Sequence, residues 1–262
     1  MSVTRVTAKV MEWVRAKKPF ALIRMSEGEA RVLHVDRRRP ESFGVAARKI
    51  LKQTGLTVGN RDVLHIQKLL RYAFCEADIL CLTGSASWNN EYRMWMDRLK
   101  DEYFARRRKP CITTHCFVNR QLRDALPQIL RGQTKVSVIS CRDLRPYLKE
   151  ECGIEDVEVY QVPSQYVMRK IDDEYESSLH GMKMWPTAHH KILRAIRVRE
   201  KGEVFLIGAG LFGKDMCVRV RELGGIALDM GSCLDFIVGK QTRGPKKPTP
   251  YSGPRPTDKG FK

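Results

Sequence analysis

Short runs without a polar face recur along this chain. The clearest are FALI at 20–23, DILCL at 78–82, KVSVI at 135–139, EVFLI at 203–207 and GIAL at 225–228. A strand that is apolar on both sides has nothing to offer water, so it belongs inside a sheet covered on both faces, and such sheets are mostly parallel. Weaker strands are predicted at 110–114 and 157–162. Between these runs lie amphipathic stretches with the period of helices, predicted at 3–17, 43–54, 60–75, 90–105, 118–130, 142–150, 187–199 and 211–223. The alternation predicts an α/β domain, doubly wound, with a mostly parallel sheet and helices on both faces. One domain is expected over 1–239, interrupted by a long variable stretch at 163–186 of the kind that serves as a lid or binding loop. From 240 to 262 the chain is rich in Pro, Gly and basic residues and is expected to be a disordered basic tail.

Composition narrows the class. The chain has 262 residues, of which 42% are hydrophobic, enough for a substantial core. No run approaches the ~18 apolar residues of a membrane span, and the first residues lack the apolar block of a signal peptide. The eight cysteines are scattered, mostly within apolar runs, as expected of reduced thiols in a cytoplasmic protein. Cys111, His115 and Cys116 have no second ligand pair at zinc spacing. The net charge is +18. The tail holds seven Lys/Arg and one Asp, hence +6, and leaves +12 for the body, where Arg37–Arg39 and Arg106–Lys109 form further basic runs. Such a surplus favours polyanions, whether nucleic acid, an anionic surface or phosphorylated small molecules; the alternative for each cluster is a solvated surface.

Two stretches carry candidate chemistry. In FALIRMSEGEARVL, Arg24, Glu27 and Glu29 follow a buried strand, at the carboxyl end where ligands gather in open α/β sheets. Two carboxylates spaced across Gly28 can approach one hard cation, and an arginine can meet a phosphate bidentately. The competing reading is that Glu-Gly-Glu merely opens the next helix, its acids facing the positive end of the dipole. Near the other end, strand EVFLI runs into Gly208-Ala209-Gly210-Leu211-Phe212-Gly213-Lys214 and then a helix. This is G-x-G-x-x-G in the context where it cradles phosphate, with Lys214 at its mouth. Asp229 stands where a dinucleotide-binding fold carries its ribose-binding acid. Only one short strand follows the motif, whereas a dinucleotide fold normally begins with it. A nucleotide-diphosphate site with a divalent cation therefore suits the arrangement better than hydride transfer.

The segments FALIRMSEGEARVL, ADILCLTG and VFLIGAGLFGKDMCVRVRELGGIALDMGSCLDFIVGK resemble the GT-D fold glycosyltransferases over roughly residues 10–243. The resemblance implies a Rossmann-like fold and transfer of a sugar from a nucleotide-diphosphate sugar, a UDP-sugar first among the candidates. The family's Arg-x-Gly-Asp-Gly-Glu-like string maps its arginine onto Arg24 and its Asp-x-Glu metal motif onto Glu27 and Glu29. Here Glu27 stands for Asp and Ser26 for Gly, so Mn²⁺ or Mg²⁺ binding is expected with altered geometry. In the implied mechanism Glu27 and Glu29 hold the metal against the diphosphate. Arg24, Lys214 and the loop of Gly208, Gly210 and Gly213 bind the same charge. Asp229 and Asp235 are candidate bases for the acceptor hydroxyl. Trp88 is a candidate donor-binding residue that could stack on a sugar or base, with Asn89 and Asn90 beside it. His189 and His190 are expected to have packing or surface roles.

The acceptor is open. Charge points to a polyanion, and the sharper expectation is a phage-type enzyme, in the host cytoplasm, that glycosylates a hydroxymethylated DNA base, with DNA held by the basic surface and tail. Protein or glycan acceptors remain alternatives, and the oligomeric state is not legible. Two other classes stay in view: an NAD(P)-dependent oxidoreductase, and a non-catalytic nucleic-acid-binding protein on a degenerate transferase fold.

Overall fold

The computed structural model describes residues 1–25, 27–33, 60–82, 90–106, 111–113, 118–164 and 184–240. Seven strands form one sheet: β1 (Phe20–Met25), β2 (Ile79–Leu82), β3 (Ile112–Thr113), β4 (Lys135–Ser140), β5 (Asp156–Gln161), β6 (Val204–Gly208) and β7 (Ile226–Asp229). Their order is β3-β2-β1-β7-β6-β4-β5 and every pairing is parallel. The apolar runs make this so. All residues of β2 and β7, and all but Arg24 in β1, are buried, which only a sheet covered on both sides permits.

Alternate residues of each strand supply the two cores. Ala21, Ile23 and Met25 of β1 join one apolar layer with α2 (Glu27–Leu33), α3 (Asn60–Glu76), α4 (Asn90–Arg106), α8 (His189–Ala195) and α9 (Gly213–Glu222). Phe20 and Leu22 join the other, with α1 (Val3–Arg15), α5 (Val118–Asp124), α6 (Leu126–Ile129), α7 (Arg145–Cys152) and α10 (Cys233–Ile237). The buried stripe of α1, Val3, Val6, Val10 and Val14, has the helical period read from the sequence.

Three helices depart from expectation. The segment 118–130 is broken at Ala125 (φ −92°, ψ 2°), because Pro127 has no N–H for the preceding turn and restricts the residue before it. The segment 187–199 is helical only to Ala195, after an irregular turn at Met184–Ala188 in which Trp185 is extended (φ −104°, ψ 139°). Beyond it, the Arg199 backbone N–H is drawn to Glu203 at 2.7 Å instead of a helical carbonyl. The segment 211–223 opens as a 3₁₀ turn, Gly210–Phe212, and becomes α9 at Gly213. The helix expected at 43–54, most of the stretch 163–186 and the tail from 241 onward lie outside the described residues, as do Trp88, Asn89 and His115.

The candidate donor site

The topology creates a crevice. The chain leaves β1 and β6 toward the layer of α2 and α9, and leaves β7, which lies between them, toward the layer of α10. Carboxyl ends whose connections diverge in this way enclose the ligand-binding crevice of open α/β sheets. Arg24 and Gly208 each stand one residue beyond the level of Asp229 on the flanking strands, since Leu22 pairs with Leu228 and Ile207 pairs with Asp229.

On the α2/α9 side three charges are buried together. Lys214, in the first turn of α9, is 3% exposed, Asp229 2% and Glu29 7%. The Lys214 ammonium donates to Asp229 Oδ2 and lies 3.5 Å from Glu29 Oε1. Burial pulls the Lys214 pKa down, but Asp229 and then Glu29 more than offset this and hold it above the ordinary lysine value. Asp229 Oδ2 also accepts the Arg24 backbone N–H at 3.0 Å, which ties β1 to the end of β7. Arg24 itself points to the other side. A Cβ at Gly231 would stand 3.3 Å from Arg24 Nη2 and 3.5 Å from Cζ, so the guanidinium lies against the turn after β7. That turn is held by the Met230 and Gly231 N–H groups on Ile207 O and by Asn119 Nδ2 on Met230 O at 3.3 Å. Arg24 Nε is buried and has no hydrogen-bond partner among the described residues.

The glycine loop closes the crevice. A Cβ at Gly208 would stand 2.7 Å from Leu234 Cδ1, and one at Gly213 3.0 Å from Ile207 Cγ2, so these glycines let β6, α9 and α10 approach. Gly210 has φ +57°, the left-handed turn into the helix. Asp235 is on α10, where Arg142 Nε donates to it at 2.8 Å. Both candidate bases are thus engaged, and Asp235 is the more exposed, at 13% against 2%.

Sequence reasoning missed Arg142, Asn119 and Asp215. His189 is buried as expected of a packing residue, but it is also paired: its Nε2 lies 2.7 Å from Asp215 Oδ2, one residue after Lys214. Trp185 stacks on Phe212 at 5.6 Å and 12°, so this cluster clamps the glycine loop from outside. Asp215 is buried in the first turn of α9, beside the charged Lys214, and nothing in the local sequence sets it apart from a first-turn acid facing water.

Glu27 and Glu29 both fall in α2, and of the expected metal clamp only the Glu29 side chain is among the described residues. Glu29 is turned inward onto Lys214. Among the described residues no group of three or more His, Cys, Asp or Glu is placed to hold a metal ion. Of the two expected ligands, the described one, Glu29, is engaged by a lysine ammonium, a neighbour that does not suit a divalent cation.

The parallel sheet, its crevice and the glycine loop define a doubly wound α/β protein. More specifically, residues 1–237 match the profile of the GT-D fold-like domain, and the chain belongs to that family. The fold is that of a glycosyltransferase, and the sheet has the doubly wound form expected for it. Two solved structures are similar, one described as the highly conserved domain of unknown function 1792 with a distinct glycosyltransferase fold, the other as its selenomethionine form. They are 15% and 14% identical, each with a TM-score of 0.48 over 89% of this chain and 81% of the other. No curated protein matches the chain.

Proposed function

We propose that this protein transfers a sugar from a nucleotide-diphosphate sugar, a UDP-sugar first among the candidates, to an acceptor hydroxyl. The observation that carries the reading is the Arg24 guanidinium, held at the mouth of the crevice with a buried Nε donor that lacks a partner among the described residues. Such a donor costs free energy unless a ligand accepts from it, and a diphosphate is the acceptor that matches an arginine fork. The N–H groups of the 208–213 loop and the N-terminus of α9 add further donors for the same group.

In the transfer, the acceptor oxygen bonds to the anomeric carbon as the bond from that carbon to the diphosphate oxygen breaks. Negative charge then builds on the departing nucleoside diphosphate, where Arg24 and the loop stabilise it. The acceptor proton passes to a base, for which Asp235 is the better placed of the two candidates because Asp229 is sealed under Lys214. The same seal counts against the hydride-transfer alternative, which needs Asp229 for a ribose.

For the acceptor, basic surface supports a polyanion. Arg5, Arg15, Lys17, Lys18, Arg120, Arg131 and Lys149 are all exposed on the layer of α1, α5, α6 and α7. DNA carrying a hydroxymethylated pyrimidine is our candidate, and transfer to it should fall steeply as salt rises. The donor reading is tested by release of nucleoside diphosphate from a panel of nucleotide sugars, with and without Mn²⁺, in wild type and Arg24→Ala. Release that is lost in the variant is the expected result. No release and no donor binding under any condition would overturn the reading and favour a non-catalytic nucleic-acid-binding protein.

A further inference from the structure

We propose that Lys214 is the resident cation of this site, so that the donor's diphosphate is bound without a divalent metal on Glu29. The inference rests on the donor-site reading above and deepens it. Lys214, Asp229 and Glu29 are each more than nine-tenths buried, and the lysine ammonium contacts both carboxylates. The trio carries one net negative charge, which Arg24 across the crevice balances. Glu29 and Asp229, the described acids near the carboxyl ends of β1 and β7, are already engaged by a cation from within the fold.

A metal cannot simply be added. At an oxygen-ligand distance of about 2.2 Å, an ion on Glu29 Oε1 would lie no more than about 6 Å from Lys214 Nζ, given their 3.5 Å separation. Nor can the ammonium move away at low cost, because it would strand two buried carboxylates. Glu29 holds Lys214, Lys214 holds Asp229, and Asp229 holds the backbone of Arg24. Lys214 is thus a positioning residue: it fixes the strand end from which Arg24 reaches the diphosphate.

The test uses the full chain and two readouts. Mn²⁺ binding is followed by electron paramagnetic resonance with no nucleotide present. Binding of UDP, and of the guanosine, adenosine, cytidine and thymidine diphosphates, is followed by calorimetry in EDTA and in Mn²⁺. Wild type is expected to leave the Mn²⁺ signal unchanged, and to bind its preferred diphosphate with the same affinity in both buffers, within about threefold. Lys214→Gln is expected to lose at least about tenfold of that affinity in EDTA, while Lys214→Arg retains most of it. Stoichiometric Mn²⁺ binding by wild type that Glu29→Gln abolishes overturns the proposal. So does unchanged affinity in a folded Lys214→Gln. If that variant does not fold, the wild-type arms and Lys214→Arg still decide. If no diphosphate binds wild type in either buffer, the donor reading fails, and the Mn²⁺ arm judges Lys214 on its own.

Discussion

Replacing Gly231 by alanine is the sharpest probe of how Arg24 is held. Gly231 has φ +53°, a conformation that an L-residue adopts at a cost of about 1–2 kcal/mol. The new Cβ would also stand 3.3 Å from Nη2 of Arg24, which must give by a few tenths of an ångström, and in ordinary contact with Cζ and Nη1 at 3.5 and 3.6 Å. The backbone term alone lowers the melting temperature by roughly 2–8 °C for a chain of this size. Displacing the guanidinium adds a loss that backbone strain does not: a misplacement of about 1 Å costs about 10²-fold in transition-state stabilisation, and the few tenths of an ångström needed here a fraction of that, a few-fold. Gly224→Ala is the control, because it has φ +92° with nothing within 4 Å of the built Cβ, and it lies just before β7, at the end of the strands opposite the crevice. Both variants should melt earlier by similar amounts in scanning calorimetry. Only Gly231→Ala should weaken nucleoside-diphosphate binding and sugar transfer. Equal stability losses with diphosphate affinity intact in both would refute the argument that this turn positions Arg24 for the donor.

Three further outcomes follow from structure away from the crevice. Glu203 is fully buried and accepts from Ser137 Oγ at 2.7 Å and from Arg199 Nη2 at 2.6 Å, so Glu203→Gln should cost about 3–5 kcal/mol in urea unfolding, with donor affinity unchanged. Burial pushes the thiols of Cys81 and Cys217 up, so an aromatic disulfide reagent at mildly alkaline pH should modify them only on unfolding, after the partly exposed Cys111 and Cys152. Burial also pushes the Tyr147 phenol up to about 12 from 10.0, the more so with Cys152 and Glu151 nearby. Because the raised value belongs to the folded state, its contribution is complete below pH 10 and is lost as pH climbs toward 12, a decline that Tyr147→Phe should flatten in melting curves recorded across that range.

The sheet was legible because burial on both faces leaves a mark on each strand separately. FALI, ILCL and VFLI can be read one at a time, without knowing their neighbours. Strand order is not local in this sense. That β7 slots between β1 and β6 depends on how the crossovers pack, and this insertion brings the Arg24 backbone N–H onto Asp229. Helix ends were legible only where a local signal set them. Pro127 in the 118–130 segment is such a signal, whereas the early stop at Ala195 depends on Glu203, which draws Arg199 across a turn to the foot of β6.

The site shows the same division more sharply. Arg24, Glu29, Lys214 and Asp229 were each identifiable from their place after an apolar run, and the fold does bring them together. What sequence spacing did not disclose is the direction of Glu29. An acid-x-acid pair reads as two ligands for one cation only if both carboxylates face the same space, which an extended or looped backbone allows. With the helix starting at Glu27, Glu29 is turned onto a lysine brought from about 185 positions along the chain. The competing reading of Glu-Gly-Glu as a helix opening is therefore correct for the backbone, yet it does not make the acids idle. Through Lys214 and Asp229, Glu29 is coupled to the backbone of Arg24, so a residue without a described opening to the crevice still sets the geometry of the charge that faces it.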